Sequence, residues 1–232
     1  YSSYKSRVNK YNLSKYKNPN AGYLMRLEKI RKYISNSEVI LDVGASNGQF
    51  LECIENEFPS KKLYAVEPDQ ETLIDRKERG LKSYNNIKDF KKINVQVDIV
   101  GLFHVFEHLI DPTSILKDIS GILNSNGKLI IEVPALSDPL LSLYEIPEFM
   151  DFYFQDQHPY VYSSDSLKRV LKYNNFSIIE TIPFQRYGLE NNLSWLKNRR
   201  PGGDSKIAKI LCELDSSYRK ILEINEITDT VI

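Results

Sequence analysis

The 232 residues carry 31 basic and 31 acidic side chains, a formal net charge of zero, with 41% hydrophobic and 27% charged residues. This is ordinary globular composition, and it speaks against disorder and against a partner gripped through a phosphate backbone, which selects a basic excess. No apolar run approaches the ~20 residues that span a bilayer, and no charged-then-apolar leader opens the chain. The two cysteines, Cys53 and Cys212, lack metal-type spacing, so the expectation is a cytoplasmic protein with reduced thiols. Tyr1 stands first in place of Met, so the natural protein is expected to begin further upstream.

The first twenty residues interleave Tyr1, Tyr4, Tyr11 and Tyr16 with Lys5, Arg7, Lys10, Lys15 and Lys17. This basic, tyrosine-rich arm (1–20) either packs its rings on the domain or stacks them on single-stranded RNA. Leu24, Leu27, Ile30 and Ile34 recur at helical spacing and predict a helix over 21–34. Val39 to Val43 is a short, β-branched run that stops at Gly44, the mark of a buried strand. Phe50, Leu51 and Ile54 open a second helix. Leu63 to Val66 reads as a second buried strand, ended by Glu67, Pro68 and Asp69.

A polar helix is expected over 70–79, a brief strand over 81–84, a strand over 97–103 and a helix over 114–123. Asn124-Ser125-Asn126-Gly127 has turn chemistry, and Lys128 to Val133 reads as a strand stopped by Pro134. Short strands alternating with helices imply right-handed crossovers and a parallel sheet covered on both faces. The rhythm breaks over 135–162, where Pro139, Pro147 and Pro159 punctuate a dense aromatic set, read as a lid inserted over one end of the sheet. A helix capped by Ser163, a strand over 176–182 and a helical extension over 187–224, interrupted near Ser216, complete a single domain over 21–232.

Chemistry concentrates in Asp42-Val43-Gly44-Ala45-Ser46-Asn47-Gly48, between a strand and a helix. Glycines there let a ligand approach the backbone, and the helix start favours a carboxylate or phosphate. A dinucleotide loop would need glycines at 44, 46 and 49; the chain has Gly44, Ser46 and Gln49. The segment instead resembles the first motif of the class I S-adenosylmethionine-dependent methyltransferases, with Asp42, Gly44 and Gly48 matching and Ser46 departing. Leu102 to Leu109 and Asn126 to Pro134 continue the resemblance. They are similar to a subgroup with a His-x-x-Glu-His-Leu segment, and Gln157 to Ser163 is similar to its Glu-His-x-x-Tyr-Phe-Ser segment, Gln157 replacing the acid.

The resemblance implies a Rossmann-like α/β fold with a seven-strand sheet, S-adenosylmethionine as methyl donor and S-adenosylhomocysteine as product. It implies that Asp42, Gly44, Ala45, Ser46 and Gly48 lie against the methionine part. Glu67 with Pro68 would hold the ribose, Asp89 with Phe90 the adenine, and Phe103 and His104 would complete the cofactor site. The acceptor it implies is a small hydroxylated molecule such as a sugar or nucleotide-linked sugar, methylated on oxygen or carbon. An RNA methyltransferase, opposed by the zero charge, and a non-catalytic scaffold, hinted by Ser46 and Gln157, are the alternatives.

The three histidines, His104, His108 and His158, fall at the end of the fourth strand and in the lid. Imidazole titrates near neutrality, which suits a proton acceptor, so His104 and His158 are the catalytic candidates. Glu107 and His108 are read as bracing their loop, and no metal is assigned to them, a second carboxylate being absent from the segment. Arg199, Arg200, Pro201, Gly202 and Gly203 form a basic loop, either solvated or suited to a phosphate.

Overall fold

The structure, a computed structural model, describes residues 19–154, 156, 158–202 and 205–232. The tyrosine-rich arm up to residue 18, Gln157 and Gly203 lie outside the described residues. In chain order the elements are α1 (Pro19–Ser35), β1 (Val39–Val43), α2 (Gln49–Glu57), β2 (Lys62–Val66), α3 (Leu73–Glu78), β3 (Lys82–Tyr84) and α4 (Ile87–Lys91). Then follow β4 (Val97–Phe103), a single 3-10 turn (Phe106–His108), α5 (Pro112–Ser120), β5 (Leu123–Pro134), α6 (Pro139–Ser142) and α7 (Pro147–Tyr153). The chain closes with α8 (Ser164–Tyr173), β6 (Pro183–Phe184), α9 (Leu189–Asn198), α10 (Ser205–Ile224) and β7 (Thr230–Val231). No helix among the described residues is long and apolar enough to cross a membrane.

These elements form two compact units. One comprises residues 20–133 and 165–180 with Ile232; the other comprises 134–164 and 181–231 together with Pro19. In the first, β1 to β5 run parallel, with β1 between β2 and β4, β3 outside β2 and β5 outside β4. Their apolar runs carry no polar alternation because helices cover such a sheet on both faces. Leu41, Ala65, Ile99 and Val100 are fully enclosed, as are Leu27, Ile30 and Ile34 of α1 and Leu51 and Ile54 of α2. Leu24, counted on the same helical face from its spacing, is exposed.

Register fixes what emerges at one edge. Val43 pairs Val66 and Leu102, Val66 pairs Tyr84, and Phe103 pairs Glu132. Gly44, Glu67 and His104 therefore all follow directly from the carboxyl ends of adjacent strands. The order reverses at β1, whose neighbours are β2 on one side and β4 on the other, and open parallel sheets bind ligands at such a switch point.

Four expectations change. Asn124 to Gly127 does not precede β5 but is a bulge within it: Val97 pairs Leu123 while Ile99 pairs Lys128. The Asn126 N–H bonds Asn124 Oδ1 at 2.9 Å, so the turn chemistry is spent inside the strand. α5 starts two residues earlier than expected, because Asp111 caps it by accepting from the Ser114 N–H and Pro112 supplies its first turn. The strand expected over 176–182 is absent. Ile179 there is exposed and Glu180 is bonded to Lys32 and Tyr33, leaving ladder pairing to Pro183–Phe184. α10 runs unbroken through Ser216.

In the second unit, α6 and α7 each begin with proline, at 139 and 147, where the missing N–H costs nothing. Trp195 of α9 is buried, its ring 4.9 Å from Phe149 and 5.2 Å from Phe152. β6 and β7 pair antiparallel. Asp229 ties the chain end: its carboxylate accepts from the Arg186 and Tyr187 N–H groups at 3.0 and 2.7 Å and from the Thr230 hydroxyl at 2.8 Å.

Candidate active site

The loop after β1 is bent by three left-handed residues, Gly44 (φ 81°), Ser46 (φ 49°) and Gly48 (φ 84°). At Gly44 a β-carbon would lie 2.2 Å from Val105 Cγ2, so glycine is required for the segment after β4 to abut the loop. Backbone bonds from Gly44 N–H to Val66 O (2.7 Å) and Gly48 N–H to Ala45 O (2.8 Å) hold the turn. The Glu67 carboxylate closes it from β2, Oε2 accepting from the Ser46 N–H and Oε1 from the Asp69 N–H, both at 2.9 Å. A carboxylate has about four acceptor positions, so Glu67 retains capacity for a ligand's donors.

Two arginines finish the loop. Arg76 is fully enclosed and gives its guanidinium to Ser46 O (2.6 Å), Asp69 O (3.1 Å), Thr72 Oγ1 and Ser83 Oγ. Arg79 donates to Asn47 O at 3.1 Å and pairs with Glu52. Neither stood out in the sequence: both sit in what reads as a polar helix, with no apolar pattern to betray burial.

Asp42 ends β1 just before this loop and is 4% exposed. Burial, opposed by Arg26 and reinforced by the charges of Glu67 and Glu132, pushes its carboxyl up to about 7. Asp89 lies in the first turn of α4, where its carboxylate takes Lys92 Nζ at 2.7 Å and Asn86 Nδ2 at 2.8 Å; the Lys92 hydrogen bond leads in holding it below the ordinary aspartate value. Phe90 is enclosed edge-on between Tyr64 and Tyr84, each 5.4 Å away, so its ring belongs to the core and only its backbone is left to face a ligand. Pro68 is exposed beside Glu67, and Ala45 is buried.

The end of β4 carries a buried charge cluster. Glu132 of β5, wholly enclosed, takes a two-bond fork from Arg26, Nε to Oε2 at 2.6 Å and Nη2 to Oε1 at 2.8 Å. The guanidinium lies against three rings, Tyr23, Phe50 and Phe103, at 5.5, 5.0 and 4.7 Å from their centroids. Burial alone would raise the Glu132 carboxyl, but the Arg26 charge and hydrogen bonds, with His104, hold it well below the usual range. His104 is left-handed (φ 56°), its N–H bonded to Glu132 O at 2.8 Å. Its Nε2 lies 2.9 Å from Glu132 Oε1 and its Nδ1 3.4 Å from Glu107 Oε1.

Both imidazole nitrogens of His104 thus face carboxylates. That arrangement fixes the ring, and it competes with the role of proton acceptor expected for it. Glu107 is 2% exposed, and its Oε2 has no hydrogen-bond partner among the described residues. His108 beside it is exposed.

The second unit, taken by itself, holds His158, half-buried in the aromatic segment. It also holds a neutral polar cluster: the Tyr218 hydroxyl accepts from Asn192 Nδ2 at 2.6 Å and lies 3.2 Å from the Tyr144 hydroxyl. Burial first, then Tyr144, pushes the Tyr218 phenol up, so it stays neutral. The Arg199–Gly202 stretch folds back on α9 through Ser194 Oγ to Arg200 O (3.1 Å) and Gly202 N–H to Asn191 Oδ1 (3.2 Å), and Arg199 lies 3.8 Å from Glu148.

A glycine loop at the switch point of a parallel sheet, with a carboxylate from the next strand tied into it, defines a Rossmann-like enzyme that binds a nucleoside cofactor. Residues 15–181 match the family described as "Methyltransferase domain", and the chain belongs to that family. It is an S-adenosylmethionine-dependent methyltransferase, and S-adenosylhomocysteine is its product.

Solved structures share the fold. A SAM-dependent methyltransferase from Archaeoglobus fulgidus is 18% identical, with 98% of this chain and 96% of that one covered at a TM-score of 0.60. The plantazolicin methyltransferase BpumL, solved with SAH, is 18% identical over 75% of this chain and 73% of its own, with a TM-score of 0.58. A possible histamine N-methyltransferase from Thermotoga maritima is 16% identical over 79% and 81%, with a TM-score of 0.55. No curated protein matches the chain.

The residues present fit the cofactor: the buried, unpartnered Glu107 oxygen and the spare acceptor positions of Glu67 suit a ligand rich in donors.

Proposed function

We propose that the chain methylates a small hydroxylated acceptor, a sugar or a nucleotide-linked sugar, on oxygen or carbon. In this reading Glu67 accepts the vicinal ribose hydroxyls, with Pro68 beside it. Asp42, Gly44, Ala45, Ser46 and Gly48 frame the methionine part, Asp89 and the Phe90 backbone meet the adenine, and Phe103 borders the site. When bound, S-adenosylmethionine would supply a methyl group carried on its sulfonium sulfur. For an oxygen acceptor, the hydroxyl proton would pass to an imidazole nitrogen as the new C–O bond forms and the S–CH3 bond breaks, its electron pair staying on the sulfur of S-adenosylhomocysteine. We assign this role to His158; His104 is held between Glu132 and Glu107.

The observation that carries the cofactor assignment is the Glu67 carboxylate, buried, bonded to the loop it faces and still able to accept. Support for a neutral hydroxylated acceptor is the chemistry of the Tyr144, Asn192 and Tyr218 set, which offers hydroxyls and an amide without charge.

The test is calorimetric titration with S-adenosylhomocysteine. Glu67→Ala should weaken binding at least about tenfold, since charge-assisted hydrogen bonds contribute ~1.5–3 kcal/mol. Unchanged affinity in a folded variant would remove Glu67 from the ribose.

A further inference from the structure

Glu107 is the buried acid that the proposed function leaves without a task. It sits in the single turn after β4, 2% exposed, with one oxygen 3.4 Å from His104 Nδ1 and the other without a partner among the described residues. Such an oxygen is costly unless a donor arrives to meet it. Its place narrows which donor. Val105, two residues earlier, is packed so tightly on Gly44 that no side chain fits between them, so the turn bearing Glu107 abuts the glycine loop.

On the other side of that loop Glu67 already bonds Ser46 and Asp69, which leaves the ribose end of the site to it. The cofactor brings neutral donors on its adenine and ribose and one cationic donor, the α-ammonium of its amino-acid part. A buried carboxylate oxygen is best matched by the cationic one. We infer that Glu107 Oε2 accepts the cofactor's α-ammonium, with His104, Glu132 and Arg26 as the positioning chain that aims it. The chain of contacts is continuous: Arg26 forks onto Glu132, Glu132 holds His104 Nε2 at 2.9 Å, and His104, left-handed in its backbone, has its Nδ1 3.4 Å from Glu107 Oε1.

The inference rests on the reading that the amino-acid part lies against Gly44. Calorimetry with two probes tests it: S-adenosylhomocysteine, which carries the ammonium, and 5′-methylthioadenosine, which lacks the whole amino-acid part. Glu107→Gln should weaken S-adenosylhomocysteine at least about tenfold, as befits a charge-assisted hydrogen bond, and leave 5′-methylthioadenosine within about twofold. Equal losses for both probes would make Glu107 a support of the loop and overturn the inference, as would no loss for either.

Should the variant fail to fold, the wild-type protein answers instead. S-adenosylhomocysteine lacking only its amino group should bind at least about tenfold more weakly than the parent, and equal binding would overturn the inference. Failure of wild-type protein to bind S-adenosylhomocysteine would instead strike the cofactor placement, a separate outcome.

Discussion

The two units bury acids under opposite arrangements. Glu132, in the five-stranded unit, meets the Arg26 guanidinium through two short bonds and stays far below the usual carboxylate range despite its burial. Asp138 and Asp229, in the other unit, are held by backbone N–H groups and a hydroxyl, Asp138 by Leu140 and Asp229 by Arg186, Tyr187 and Thr230. Burial raises both, and the charge of Asp229 drives Asp138 well above its ordinary value. One unit therefore holds its buried acid against a guanidinium, and the other holds its acids against backbone donors and a hydroxyl.

Arg26→Ala strikes the charged arrangement hardest. It strands the Glu132 carboxylate and removes the guanidinium from three rings, and breaking one side of a buried pair costs about 3–5 kcal/mol. Urea unfolding measures it, and a loss below about 1 kcal/mol would mean that water reaches Glu132.

Asp42→Asn probes the same unit through pH. The folded aspartic acid titrates at about 7 and the unfolded one near 3.9, so the folded state binds the proton more tightly. The stabilisation from that proton is complete below about pH 4 and fades as pH rises to 7, at up to about 1.4 kcal/mol per unit. Asparagine does not titrate. The variant should therefore gain about 2–4 kcal/mol relative to wild type between pH 4 and pH 8. A constant difference across that range would show that Asp42 ionises normally.

The same contrast explains what was readable in the sequence. β1, its loop and α2 are sequence-local: an apolar run, glycines that permit left-handed turns and a resumed helical spacing mark them without reference to the rest of the chain. Glu67 was legible because it directly ends the next strand. Arg26 and Glu132 meet across 106 residues, and the only hint of their pairing is an acid inside the otherwise apolar 129–133 run. Arg76 offered no hint, since a basic residue in a polar helix looks solvated until the loop carbonyls around it are known. Asn124 to Gly127 misled for the opposite reason, its turn chemistry being real but accommodated as a bulge.

The smallest effect belongs to the neutral cluster. Tyr218→Phe removes the hydroxyl that accepts from Asn192 Nδ2, and Asn192 is 1% exposed, with its Oδ1 already lacking a partner among the described residues. Water therefore has little access to repair the loss, and about 0.5–1.5 kcal/mol of stability should go with the bond. Tyr144→Phe removes only the outer 3.2 Å contact from a half-buried ring and should cost less. Thermal unfolding of both variants reads the order. If Tyr144→Phe proved the more damaging, the cluster would be organised from its exposed side, and Asn192 would lose its place as the group that fixes it.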